Sequence, residues 1–197
     1  MFWDCTGLTS WTVALPDTLT TTEVMFSGCK GLKSWTVALP NSITNASCMF
    51  SGCSGLTKWT VELPSNLINA SSMFDYCSGM TSFSTPSGTL PSSITDATYM
   101  FSKCSSLREF KPSLAGLTSC ENFYGVFRGC ILNEKSIRNI LDTLPDRTGK
   151  TGQLFFDIGG DDTMEKSVKD ELGALAKSVS TAKNWNITLK WNTPQTV

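Results

Sequence analysis

The sequence predicts an α/β repeat solenoid in which short units share a parallel sheet and an α/β cap closes the C-terminal end. Three observations carry the prediction. A 24-residue register recurs along the first 130 residues, each unit holds one stretch of strand-like alternation, and the composition changes near residue 131. Units this short cannot close a core alone, so neighbours must stack to bury a continuous one.

Met-Phe pairs mark the register at 1–2, 25–26, 49–50, 73–74 and 100–101, with Val126-Phe127 as a weakened sixth. Their spacings are 24, 24, 24, 27 and 26 residues. Cys5, Cys29, Cys53, Cys77, Cys104 and Cys130 keep the same beat, and the second and third units are identical at 15 of 24 positions. Within a unit, Leu8, Trp11, Val13 and Leu15 have the L-x-x-L-x-L spacing of a leucine-rich repeat strand. Trp11, Val13 and Leu15 alternate with Ser10, Thr12 and Ala14, which predicts one buried and one solvent face. Pro16 has no N–H to donate and ends the strand, and Asp17 suits the turn that follows, as do Asn41, Ser65 and Ser92 in later units. The fourth unit gains three residues around Pro86-Ser87-Gly88, and the fifth puts Pro112 at the valine position. Both predict bulges or a loop on the strand side.

Residues 1–130 read as repeats of about 24–27 residues, and 131–197 as α/β capping units of the same solenoid. Charged side chains rise from 15 of 130 residues to 18 of 67 across that boundary. Ile137, Ile140, Leu141 and Leu144 share a helix face behind an Asn133 N-cap. Leu154 to Ile158 reads as a strand ended by Gly159-Gly160, and Asp162 to Glu165 as a capping box. Met164, Val168, Leu172, Leu175 and Val179 stripe the second helix, and Trp185, Ile187, Leu189 and Trp191 alternate as a last strand. The order predicts two α/β units that extend the parallel sheet and hide the last apolar face from water.

The 197 residues carry a net charge of −1, a pI near 5.5 and no histidine. A near-neutral chain lacks the electrostatic footprint of a nucleic-acid or acidic-lipid binder, so no nucleic-acid partner is expected. Without histidine there is no Ser–His or Cys–His nucleophile pair, and no convergent acid pair stands out, so the chain does not read as an enzyme. No apolar run approaches the roughly 18 residues of a membrane span. The first residues lack the basic and apolar regions of a signal peptide.

Successive strands lie about 4.8 Å apart, whereas a disulfide wants Cβ atoms roughly 3.5–4.5 Å apart. The six register cysteines are therefore expected as buried thiols, with Cys48 and Cys120 the better candidates for exposure. No C-x-x-C pair offers a zinc site. The acidic run Asp157 to Asp162 lacks the alternating ligand spacing of a calcium loop, so neither a metal nor any other cofactor is expected. The Trp11, Trp35 and Trp59 file reads as core rather than an exposed sugar platform, and the sequons at Asn45 and Asn69 share one repeat position, as duplication would produce.

Together, Met49-Phe50-Ser51-Gly52-Cys53-Ser54-Gly55-Leu56 and the following strand and proline resemble the BspA-like, treponemal-type leucine-rich repeats of bacterial surface proteins, in a Met-Phe/Cys variant. The likeness covers residues 1 to about 130 and departs at the tryptophans, where a smaller aliphatic is usual; this implies a wider core or a locally different strand. Ala182-Lys183-Asn184-Trp185 resembles the end caps of bacterial and bacteriophage leucine-rich proteins. The resemblance implies an extracellular or virion-borne recognition or adhesion module that binds a protein or glycan through its solvent face, or else a structural spacer without an external ligand. The candidate ligand face comprises Ser10, Thr12, Ala14, Ser34, Thr36, Ala38, Lys58, Thr60, Glu62, Glu109 and Lys111. At the other end of the register Met1, Phe2, Trp3 and Trp11 begin the apolar file with Asp4 the only charge before Asp17, so self-association or preceding repeats are expected to cover that edge.

Overall fold

A computed structural model describes residues 1–148 and 154–192, with side chains described outside 154–157. The first five Met-Phe units stack in parallel, joined by two walls of backbone hydrogen bonds. On the wall that contains the Met-Phe pairs, each unit donates forward: Phe26 to Met49, Gly28 to Ser51, Ala46 to Asn69 and Cys48 to Ser71, at 2.7–2.9 Å. On the other wall each unit donates backward, as from Thr57 to Lys33 and from Thr81 to Thr57.

Regular strand on this second wall is brief. Strands β1 (Lys58–Trp59), β2 (Ser82–Phe83) and β3 (Glu109–Phe110) form one parallel sheet, with Trp59, Phe83 and Phe110 in register. The expected run from Leu8 to Leu15 and its copies is not a continuous strand. After each tryptophan the chain bends, and the indole N–H donates to the carbonyl two residues on: Trp11 to Val13, Trp35 to Val37 and Trp59 to Val61, at 2.6–2.7 Å. The period of two fails there. Val13 is 63% exposed and stands clear of the core, while Val37 and Val61 are half-buried and pack only against its edge. In the fourth unit the inserted residues form a loop, with Thr85 Oγ1 donating to the Thr89 carbonyl at 2.9 Å.

The core is an aromatic file. Phe2, Phe26, Phe50, Phe74, Phe101 and Phe127 stack with centroids 5.3–5.8 Å apart and planes within 11°. Trp11, Trp35, Trp59, Phe83 and Phe110 meet these rings edge-on from the strand side, an arrangement that ring quadrupoles favour. Trp35 and Trp59 are buried, and Trp11 in the first unit is half-buried. The register cysteines lie beneath the file, and each thiol donates to the phenylalanine carbonyl of the preceding unit: Cys29 to Phe2, Cys53 to Phe26, Cys77 to Phe50, Cys104 to Phe74 and Cys130 to Phe101, at 3.1–3.2 Å. All eight cysteines are unpaired. Cys5 is exposed, Cys48 is half-buried and Cys120 is buried, so Cys120 is not the exposed thiol its place outside the register predicts. Burial pushes the Cys53 and Cys120 thiols up to about 12.

Close approach of the rungs explains one glycine column. A Cβ on Gly31 or Gly55 would meet the carbonyl oxygen of Thr6 or Lys30 at 2.4 Å, and one on Gly79 that of Ser54 at 2.2 Å. Gly7, at the same register position in the first unit, has nothing within 4 Å.

The C-terminal segment forms a parallel sheet of its own, ordered β4 (Phe127–Leu132), β5 (Leu154–Asp161) and β6 (Trp185–Asn192), with helices α1 (Glu134–Thr143) and α2 (Lys166–Lys183) between its strands. This sheet does not prolong the three-stranded sheet of the repeats, although Ile131 and Asn133 donate to the Leu107 and Arg108 carbonyls just before β3. Asn133 caps α1 by accepting from the Ser136 N–H at 2.9 Å, and Ile137, Ile140 and Leu141 are buried. The expected strand stop at Gly159-Gly160 is instead strand interior. A Cβ on Gly159 would meet the Cys130 backbone at 2.5 Å and one on Gly160 the Trp191 ring at 2.5 Å, so the glycines let β5 lie close to its neighbours. The capping box is also absent: α2 starts behind Glu165 with no side-chain cap, while Asp161 takes the Thr163 N–H and hydroxyl at 2.9 Å.

Candidate functional site

Every residue of the expected ligand face is exposed: Ser10, Thr12 and Ala14; Ser34, Thr36 and Ala38; Lys58, Thr60 and Glu62; Glu109 and Lys111. The structure does not set them on one flat sheet. Lys58 and Glu109 lie in β1 and β3, whereas the second and third members of each triplet lie beyond the strand, where the chain bends. Glu62 is engaged by the inserted loop, accepting from the Ser87 N–H at 2.9 Å and from its hydroxyl at 2.5 Å.

Glu109 and Lys111 come together at the last rung, 3.6 Å apart as an exposed ion pair. There the next repeat is replaced by α1. Ser136 takes over as the backbone partner, accepting from the Phe110 N–H at 2.9 Å and donating to the Arg108 carbonyl at 3.0 Å. Asn139 holds the helix to the chain by donating to the Lys111 and Pro112 carbonyls. Between helix and rung runs a groove of about 420 Å³, lined by Glu109, Phe110, Lys111, Asn133, Lys135, Ser136 and Asn139. Two ammonium groups against one carboxylate, with amide and hydroxyl groups between them, fit a polar or anionic ligand group. Sequence reasoning missed Asn133, Lys135 and Asn139 as groove residues, because their meeting with Lys111 depends on where α1 docks.

Two further residues fasten the C-terminal segment to the repeats. Arg147 is buried, donates to the Leu117, Thr118 and Cys120 carbonyls, and lies 5.6 and 5.5 Å from the Phe123 and Trp185 ring centroids. Asp161 pairs with Arg108. Burial alone would raise the Asp161 carboxyl, but the Thr163 donors and the Arg108 guanidinium outweigh it and hold it below the usual carboxylate range. With its oxygens taken this way Asp161 has a structural partner already, and among the described residues no group of three or more potential ligand side chains is placed to hold a metal ion. The sequon asparagines Asn45 and Asn69 bridge neighbouring units, and their side-chain oxygens accept from the Ser47 and Ser71 N–H groups at 3.0 and 2.9 Å.

The model of the BspA-type leucine-rich repeat region matches six copies, spanning residues 1–111 and 46–148. The chain belongs to the BspA-type leucine-rich repeat family. No curated protein and no solved structure matches it. Leucine-rich repeats of this type generally mediate protein binding, are commonly surface-associated and are typically non-enzymatic. The BspA-type match runs through the last Met-Phe unit and α1, so it includes both sides of the groove. No helix among the described residues is long and apolar enough to cross a membrane.

Proposed function

We propose that the chain is an extracellular recognition or adhesion module, carried on a bacterial surface or a phage fibre, whose repeat solenoid offers its strand-side face to a protein or glycan. The supporting observation is the groove at the end of that face. Outward residues of the repeats lead to it, and it gathers Lys111, Lys135, Asn133 and Asn139 around an accessible polar cleft. The small side chains upstream lose little rotamer freedom on binding, so ordering them costs little. Probing protein and glycan arrays with the purified chain tests the reading. A ligand should be retained, and Lys111→Glu with Lys135→Glu should weaken it at least tenfold; retention that ignores both reversals contradicts the assignment of the site.

A second reading, assembly without an external ligand, draws on the N-terminal end. Met1 and Trp3 are 93% and 70% exposed, and Phe2 and Trp11 are only half-buried there. Under this reading a second copy or preceding repeats cover that surface. Sedimentation would then show a dimer or higher species that Trp3→Glu dissociates, and a monomer at high concentration would count against it.

A further inference from the structure

The Met-Phe wall has its own irregularity, and it falls in the later units. Just before each register cysteine the backbone takes a left-handed conformation, which glycine meets without steric cost: Gly28, Gly52 and Gly129 have φ of 74, 72 and 77°. Asp4 occupies the position in the first unit, and its residue type tolerates this region. In the fourth and fifth units the position is Tyr76 and Lys103, with φ of 56 and 58°. Large side chains thus stand where the fold favours none. Tyr76 is 57% exposed and Lys103 is also exposed, and the two line a cavity of about 330 Å³ with Ser78, Ser105, Gly129 and Asn192 among its other walls.

The neighbouring left-handed position, just before each Met-Phe pair, holds Val24, Cys48 and Ser72 in the earlier units and Tyr99, at φ 56°, in the fifth. The Tyr99 ring lies over Gly125 so closely that an added Cβ would meet it at 2.6 Å. Tyr124, 46% exposed, meets Tyr99 edge-on at 5.3 Å. Exposed Arg128 interacts with the Tyr99 hydroxyl and accepts the Lys103 N–H on its own carbonyl, which joins the tyrosines to the cavity. The adjacent carboxylate, Asp75, is half-buried, with Oδ1 out of contact with solvent.

We propose that Tyr76, Tyr99, Tyr124, Lys103 and Arg128 form a binding surface for a carboxylate-bearing sugar chain, separate from the strand-side groove. Tyrosine faces suit the C–H faces of pyranose rings, while Lys103 and Arg128 supply charge at the spacing of neighbouring rungs, and Arg128 can grip a carboxylate with two parallel N–H groups. A protein partner would use the tyrosines and Arg128 equally well, but lysine and serine are depleted at protein interfaces, and Lys103, Ser78 and Ser105 line this cavity. A neutral sugar would leave both cations unused.

Calorimetric titration with hyaluronan, oligogalacturonate and oligosialate octasaccharides tests the proposal, alongside carboxyl-reduced hyaluronan and poly-glutamate. At least one acidic saccharide should bind, and carboxyl reduction should remove that binding for hyaluronan. Tyr76→Gly, Lys103→Gly and Arg128→Ala should each weaken it at least tenfold. The two glycine variants restore the register residue and should melt no lower than the parent, so loss of binding in them is not loss of fold. Lys111→Glu, in the strand-side groove, should leave this binding unchanged even if it abolishes the other. Failure of all three acidic saccharides at millimolar concentration, binding insensitive to the Met-Phe-wall substitutions, or equal binding of poly-glutamate or the reduced chain would overturn it.

Discussion

Gly55→Ala isolates the stacking of one rung on the next. The new methyl would sit 2.4 Å from the Lys30 carbonyl oxygen and 3.0 Å from that of Leu32, and both are backbone atoms with no rotamer to yield. To reach even 3.0 Å from Lys30 the rungs must part locally by 0.6 Å, the difference between 3.0 and 2.4 Å. That movement would stretch the Thr57 to Lys33 hydrogen bond, already 3.3 Å long, and loosen Phe50 against Phe26. Overpacking of this kind costs about 1–3 kcal/mol. For a chain of 197 residues, 2 kcal/mol corresponds to a fall in Tm of about 4–8 °C. Gly7→Ala is the internal control, because the same register position there has nothing within 4 Å and no left-handed φ. It should be neutral or stabilising by about 0.4–1 kcal/mol through the unfolded state. Urea unfolding followed by tryptophan fluorescence measures both. Equal effects at the two positions, or a Gly55→Ala cost below about 0.5 kcal/mol, would refute rung contact as the reason for the glycine column.

Three further outcomes are expected. The thiols raised by burial favour the protonated form in the fold, so their contribution is complete below the ordinary thiol value of 9.0 and is lost as pH climbs toward about 12 for Cys53. Unfolding free energy from urea titrations should fall from pH 9 to 11, by up to about 1.4 kcal/mol per pH unit for each such thiol, and less steeply in Cys53→Ala; native thiol labelling should reach Cys5 first and the inner register thiols only after denaturation. Trp59→Phe keeps an aromatic ring but loses the indole bond to Val61, and should cost about 1 kcal/mol by chemical denaturation. Arg147→Ala strands the Leu117, Thr118 and Cys120 carbonyls, and should destabilise by about 2–4 kcal/mol, with near-ultraviolet dichroism reporting the altered setting of Trp185.

Whatever repeats, or is read from adjacent residues, was legible in the sequence. The Met-Phe and cysteine spacing marks the rungs, and Asn133 ahead of an apolar helix face marks α1. The reading of Leu8 to Leu15 as a strand went too far because alternation is necessary for a strand but not sufficient. Trp11 can turn its N–H onto the Val13 carbonyl, and that local bond competes with a straight ladder. At Gly159-Gly160 glycine signals close approach as readily as a turn, and only the positions of Cys130 and Trp191 decide which. The pairing of Asp161 with Arg108 is illegible in the sequence for a related reason, since the two lie 53 residues apart. That the strand-side residues such as Ser34, Thr36 and Lys58 face outward could be read from the pattern, whereas the groove could not, because it exists only where α1 meets the last rung.

The mixed direction of hydrogen bonding within each rung has an electrostatic consequence. In an α-helix all peptide dipoles point one way and sum to partial charges at the ends. Here Phe26, Gly28, Ala46 and Cys48 of the Met-Phe wall donate toward later units, whereas Asn45 and Asn69 beside them and Thr57 and Thr81 of the strand wall donate toward earlier ones. Dipoles of both senses thus occur in every rung and partly cancel along the stack. An array of this kind lengthens with less charge at its ends than aligned dipoles would give, so whatever meets an end is held more by contact than by a long-range field.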